Sequence, residues 1–114
     1  MDLPETRQRK ILLFDFYENL LTQRQREIFA LHYMDDCSLA EIGAAEGITP
    51  QAAADILKRT ATRLEHYDKR LGLLARHENR LADVQKIRLL LEELDEPEQN
   101  PAISQIRNLL ENLI

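Results

Sequence analysis

Three features of this chain predict an all-α protein with a helix-turn-helix domain, a long fourth helix and a C-terminal helical extension. Glycine is scarce, while Leu, Ala, Glu, Arg and Gln are abundant, a composition of good helix formers. Apolar residues recur at spacings of three and four, and no alternating strand pattern interrupts them. The third feature is the run SLAEIGAAEGITPQAAADILKR, residues 38–59, which carries the punctuation of two short helices around a tight turn.

The elements follow in chain order. Residues 7–21 form a first helix, with Ile11, Phe14, Tyr17 and Leu21 on one apolar stripe. Thr22 caps a second helix with Gln25 as its capping-box partner, and Ile28, Phe29 and Leu31 face inward. The aromatics Phe14, Phe16, Tyr17, Phe29 and Tyr33 lie on these stripes beside Leu and Ile, so they read as core rather than as platforms for stacking bases. Tyr33, Met34, Asp35 and Asp36 make a loop. Its two acids suit the start of the next helix, where negative charge favours the dipole, better than they suit a metal.

Ser38 caps the third helix with Glu41 as its box partner, and Gly47 ends it. Thr49 caps the fourth, and Pro50 occupies the first helical position. Leu39, Ile42, Ile48, Ala53 and Ile56 lock the two together. This spacing makes nucleic-acid binding the first functional hypothesis. A plain αα-hairpin would use the same caps and the same glycine.

The fourth helix runs on through Thr60, Leu64, Tyr67, Leu71 and Leu74. Gly72 is a possible break, but the pattern stays in phase across it, so the expectation is continuity. Val84, Ile87, Leu91 and Leu94 then repeat as a heptad seam. DEPEQNP, residues 95–101, breaks the pattern, and Ile103, Ile106, Leu110 and Leu113 resume it. The two seams suit an antiparallel hairpin. Leu81, Leu90, Leu109 and Ile114 are left to cover it or to meet another subunit. The domain expectation is a helix-turn-helix domain over 1–74 and an extension over 75–114 that makes the chain a homodimer.

The charged N-terminus lacks a signal-peptide core, and no apolar run reaches the length of a membrane span. The single cysteine, Cys37, excludes an internal disulfide and suits a reducing cytoplasm. It has no Cys or His at ligand spacing, the three histidines are scattered, and no phosphate loop or nucleophile motif occurs. Neither metal, cofactor nor enzymatic activity is expected.

The net charge of −5 opposes polyanion binding, but the charge is uneven. Residues 35–49 carry four acids and no base, whereas residues 50–70 carry five bases against three acids. A polyanion would therefore meet the fourth helix. On a helical wheel Arg59, Arg63, His66 and Arg70 fall together, with Lys58 and Lys69 on the adjoining sector. Such a flank either tracks phosphates or is a solvated charged face. At the N-terminal end, where a recognition helix reads bases, the outward positions are Gln51, Ala52, Ala54 and Asp55. Only Gln51 is a standard major-groove reader. The candidate contacts are Gln51, Asp55, Lys58, Arg59, Arg63, Lys69 and Arg70.

Three runs, LLFDFYENLLTQRQREIF, YMDDCSLAEIGAAEGITPQAAADILKRT and LEHYDKRLGLLARHENR, resemble the YlxM family of small bacterial helix-turn-helix proteins. They cover residues 12–80, about two-thirds of the chain. Residues 22–64 are also similar to region four of bacterial sigma factors. The resemblance implies an accessory or regulatory role in the signal recognition particle pathway, through the particle's RNA or its GTPases. Gln51, Asp55, Lys58 and Arg59 match the family pattern. Pro50 stands where that pattern has arginine and Ala54 where it has tyrosine, and both changes weaken direct reading of DNA. A DNA-binding transcriptional regulator and a protein-only adaptor remain alternatives to an RNA-binding accessory protein.

Overall fold

The computed structural model describes residues 4–94 and 100–113, apart from the side chains of Pro4 and Glu5. The described residues form six α-helices: α1 (Pro4–Tyr17), α2 (Gln23–Tyr33), α3 (Leu39–Glu46), α4 (Pro50–Leu71), α5 (Leu73–Glu92) and α6 (Pro101–Asn112). A single 3-10 turn, Glu18–Leu20, takes up the last residues of the predicted first helix. The chain divides into two compact units between Leu74 and Ala75.

In the first unit α4 packs against α1, α2 and α3. Its core joins Leu13, Phe14 and Tyr17 of α1 to Ile28, Phe29 and Tyr33 of α2, Ile42 of α3, and Ala53, Leu57 and Leu64 of α4. Phe14 and Phe29 stack with ring centroids 4.6 Å apart, so the aromatics are core, as their stripes predict. Tyr33 is buried in α2 rather than placed in the loop after it. The one buried polar side chain on α4, Thr60, donates its hydroxyl to Ile56 O of the preceding turn at 2.7 Å.

The predicted caps are all formed. Thr22 and Ser38 each accept from the backbone amide three residues on, and Gln25 and Glu41 reach back to the cap amides. Thr49 accepts from the Ala52 amide at 3.0 Å. Gly47 takes φ 70°, and its amide and that of Ile48 both donate to Gly43 O. Gly43, on the inner face of α3, lets the turn pass close by. A Cβ there would lie 2.6 Å from Ile48 O and 3.3 Å from Pro50 N.

Continuity through Gly72 is corrected. Gly72 adopts φ 65° and caps α4, so a new helix begins at Leu73. Tyr17 fixes the break from below. Its buried hydroxyl donates to Asp68 Oδ1 at 2.8 Å and accepts from the Leu73 amide at 3.1 Å, while the same Asp68 oxygen accepts from the Leu74 amide. Leu74, after the break, is buried, whereas Leu71, before it, is exposed, although both lie on the predicted apolar stripe.

In the second unit α5 and α6 meet through Val84, Leu91, Ile103 and Leu110. Asn100 caps α6 by accepting from the Ala102 amide. Most of the predicted breaker, residues 95–99, and Ile114 lie outside the described residues. The remaining seam residues, Ile87, Leu94, Ile106 and Leu113, are exposed, as are Leu90 and Leu109, whereas Leu81 is half-buried.

Candidate nucleic-acid interface

The outward face of α4 carries every predicted contact residue, and all seven are exposed. An open groove of about 750 Å³ runs between the start of α2 and the middle of α4. It is lined by Gln25 from α2 and by Asp55, Lys58, Arg59, Thr62, Arg63 and His66 from α4. Four of the seven predicted residues, Asp55, Lys58, Arg59 and Arg63, thus share one concave surface. Lys69 lines an adjoining groove, linked to the first through Thr62 and His66. Gln51, in the first turn of α4, and Arg70, in its last, line neither.

The cations differ in their state of pairing. Among the described residues Arg7, Arg9 and Arg88 are tied to carboxylates. Arg7 reaches Asp36 and Tyr33 O, holding the α2–α3 loop where Asp36 takes φ 54°. Arg9 contacts both oxygens of Glu65, at 2.8 and 2.9 Å, and Asp68 at 3.5 Å. Lys58, Arg59, Arg63, Lys69 and Arg70 make no ion pair among the described residues. Arg9 pairs with Glu65 and Asp68, the two acids that line the adjoining groove beside Lys69, and Asp55 is the only carboxylate among the residues lining the main groove. Unpaired, solvated cations release counterions when they meet phosphate, whereas paired ones must first surrender a carboxylate.

Sequence reasoning missed Gln25 and Thr62, and left His66 as a wheel neighbour. Thr62 and His66 follow Arg59 and Arg63 by three residues on the helix, a spacing legible in the sequence. Gln25 comes from another helix, and only tertiary packing brings it near.

Cys37 sits in the loop before α3, and its thiol points at Asp35 O, 3.9 Å away. Partial desolvation, followed by the charges of Glu41, Asp35 and Asp36, raises its pKa above the ordinary thiol value. The thiolate is the nucleophile, so the cysteine is poorly reactive at neutral pH. We expect iodoacetamide to alkylate Cys37 more slowly than free cysteine at pH 7. The rate should rise about tenfold per pH unit and level off only at a pH above that of the free amino acid. Mass spectrometry of timed aliquots measures it; a rate at or above that of free cysteine would contradict the assignment. Among the described residues no cluster of His, Cys, Asp and Glu is arranged to hold a metal, and no helix is long and apolar enough to cross a membrane.

The family model described as "Putative helix-turn-helix protein, YlxM / p13 like" (UPF0122) matches residues 4–106. The chain is 42% identical to a UPF0122 protein of Symbiobacterium thermophilum, over 90% of each chain. It is also 42% identical to one from a Thermoanaerobacter species, over 83% of this chain and 81% of that one. A Bacillus mycoides relative is again 42% identical, over 89% and 90%. With its capped α3–turn–α4 unit and these relatives, the chain belongs to the YlxM / p13-like helix-turn-helix family.

Proposed function

We propose that this protein is a nucleic-acid-binding accessory or regulatory protein of the signal recognition particle pathway, acting on the particle's RNA with the outward face of α4. The observation that carries the reading is the row of unpaired cations Lys58, Arg59, Arg63 and Lys69, beside a carboxylate pair already held by Arg9. The row spans about 16 Å along the helix, at about 1.5 Å per residue, enough to follow several successive phosphates. Structured RNA suits this surface, because duplex RNA is recognised mainly through shape, backbone and 2′-hydroxyls. The α4 N-terminus supports little base reading. Gln51 can pair with adenine, a contact worth about 1–3 kcal/mol, and no arginine precedes Arg59 on the helix.

Gln51, exposed on the first turn, is the observation that favours the alternative, a DNA-binding transcriptional regulator. A protein-only adaptor contacting the pathway's GTPases would use the helix-turn-helix as scaffold alone. The same proposal takes the chain to act in the cytoplasm as a homodimer, with residues 75–114 as the association element.

Titration of the full chain with the particle RNA and with an unrelated structured RNA, at 50 and 200 mM salt, tests the proposal. About four phosphate contacts predict an affinity loss of about a hundredfold between the two salts. The particle RNA should bind more tightly at both. Equal affinity for the two RNAs, or no binding, overturns the RNA assignment, and a consensus site enriched from random duplexes would install the DNA reading instead.

A further inference from the structure

The second unit contains an internal repeat that its fold makes visible. Residues 84–94, VQKIRLLLEEL, and residues 103–113, ISQIRNLLENL, share a pattern of a β-branched residue followed by I-R-x-L-L-E-x-L at the same offsets. Counted from Val84 and from Ile103, the residue seven places on, Leu91 or Leu110, is buried with it in the seam. The residues four and eight places on are Arg88 and Glu92, and Arg107 and Glu111, and these four line one small polar groove. Arg88 donates to Glu111 across it. Equal offsets on two antiparallel helices that share a seam fall on the same side of the pair. The positions three, six and ten places on therefore share the opposite flank. They are Ile87 and Leu90 on α5 with Leu94 two residues past its end, and Ile106 and Leu109 on α6 with Leu113 at its C-cap. All six are 40–65% exposed in the chain as a whole.

We propose that this flank closes on the same flank of a second copy, forming an antiparallel four-helix bundle. The inference rests on the homodimer part of the function proposed above and is independent of polyanion binding. Each helix carries apolar residues at two heptad positions plus a third beside them, the pattern of a helix in a bundle core rather than of a two-stranded seam. The hairpin buries only one of those rows. A unit of this size with four buried core side chains falls in the range where small domains depend on association. The occupant is a second copy because the hairpin itself demonstrates the fit: one repeat already packs against the other, and a second chain supplies two more of the same. The area agrees. Six side chains at about half exposure leave on the order of 500 Å² per copy, so a symmetric pair buries about 1,000 Å², the threshold for a specific interface. Such an interface pairs the patch with itself, and the four charged groups stay on the flank facing away.

Sedimentation equilibrium of the full chain tests the assignment. The wild type should have twice the 13.3 kDa chain mass at micromolar concentration. Replacing Leu90→Glu with Leu109→Glu should weaken association by about a hundredfold or more, because two charges per chain would enter an apolar interface. The opposite-flank change Glu92→Gln should leave the dimer intact. Far-ultraviolet circular dichroism checks that the glutamate pair still folds. If it does not, Leu90→Gln with Leu109→Gln, which leaves the buried seam untouched, carries the test. A monomeric wild type overturns the proposal, as does a folded flank variant that remains dimeric. A monomer that still binds RNA would sink this inference alone, and a dimer that binds no RNA would sink the RNA assignment alone.

Discussion

Reversing two charges, Arg59→Glu with Arg63→Glu, should reduce affinity for the particle RNA by at least about a hundredfold at 100 mM salt and lower the salt slope by about two. Both side chains are exposed on the groove and free of ion pairs among the described residues, so the fold loses no internal partner. The change replaces two cations with two anions on a surface whose only carboxylate is Asp55. The loss should be uniform across RNA sequences, because backbone contacts carry no base information. Arg7→Ala, which removes a cation already spent on Asp36 and Tyr33 O, is the matched control and should change affinity little. Fluorescence anisotropy over a salt series measures both quantities. An unchanged slope in the double variant would remove Arg59 and Arg63 from the interface. A pure adaptor would keep its protein partner while showing no RNA binding at all. Gln51→Ala separates the readings further: a DNA regulator loses about 1–3 kcal/mol at one base position, whereas backbone recognition of RNA barely registers it.

The second large effect concerns stability. Gly43→Ala should destabilise the first unit by about 2–3 kcal/mol, because the added methyl has no rotamer with which to avoid backbone. The new Cβ would stand 2.6 Å from Ile48 O. The turn must then lift from α3, and the start of α4 moves with it. Gly47→Ala meets nothing within 4 Å, and its cost is the positive φ alone, about 1–2 kcal/mol. Urea titration followed by circular dichroism should therefore rank Gly43→Ala as the worse variant. The opposite order would mean that the turn conformation, not the close approach, controls the motif. Gly43→Ala should also weaken RNA binding where folded protein remains, since the cationic helix is aimed from that turn.

The helix-turn-helix was legible because its signals are local. Ser38 with Glu41, Gly47, and Thr49 with Pro50 act within one turn of backbone, and each is satisfied by atoms only a few residues away. The cationic flank of α4 was legible for the same reason, since helical spacing alone aligns Arg59, Arg63, His66 and Arg70, with Lys58 and Lys69 on the adjoining sector. Gly72 was misread because periodicity counts apolar residues and is blind to what holds a helix break. That break is held by Tyr17, more than fifty residues earlier, whose hydroxyl accepts the Leu73 amide. Gly43 was passed over because its small size answers to Ile48 and Pro50 across the turn, not to its own helix.

By itself, then, the sequence determined that this chain is helical, where its helices are capped, and which face of α4 is cationic, because those properties depend on neighbours within a turn or two. Tertiary structure decided which cations are free. Arg9 is drawn off by Glu65 and Asp68, Gln25 is carried to the groove from another helix, and α5 and α6 bury one apolar row while leaving two in water. Pairing, concavity and exposure are properties of surfaces brought together from distant positions, and no local spacing encodes them.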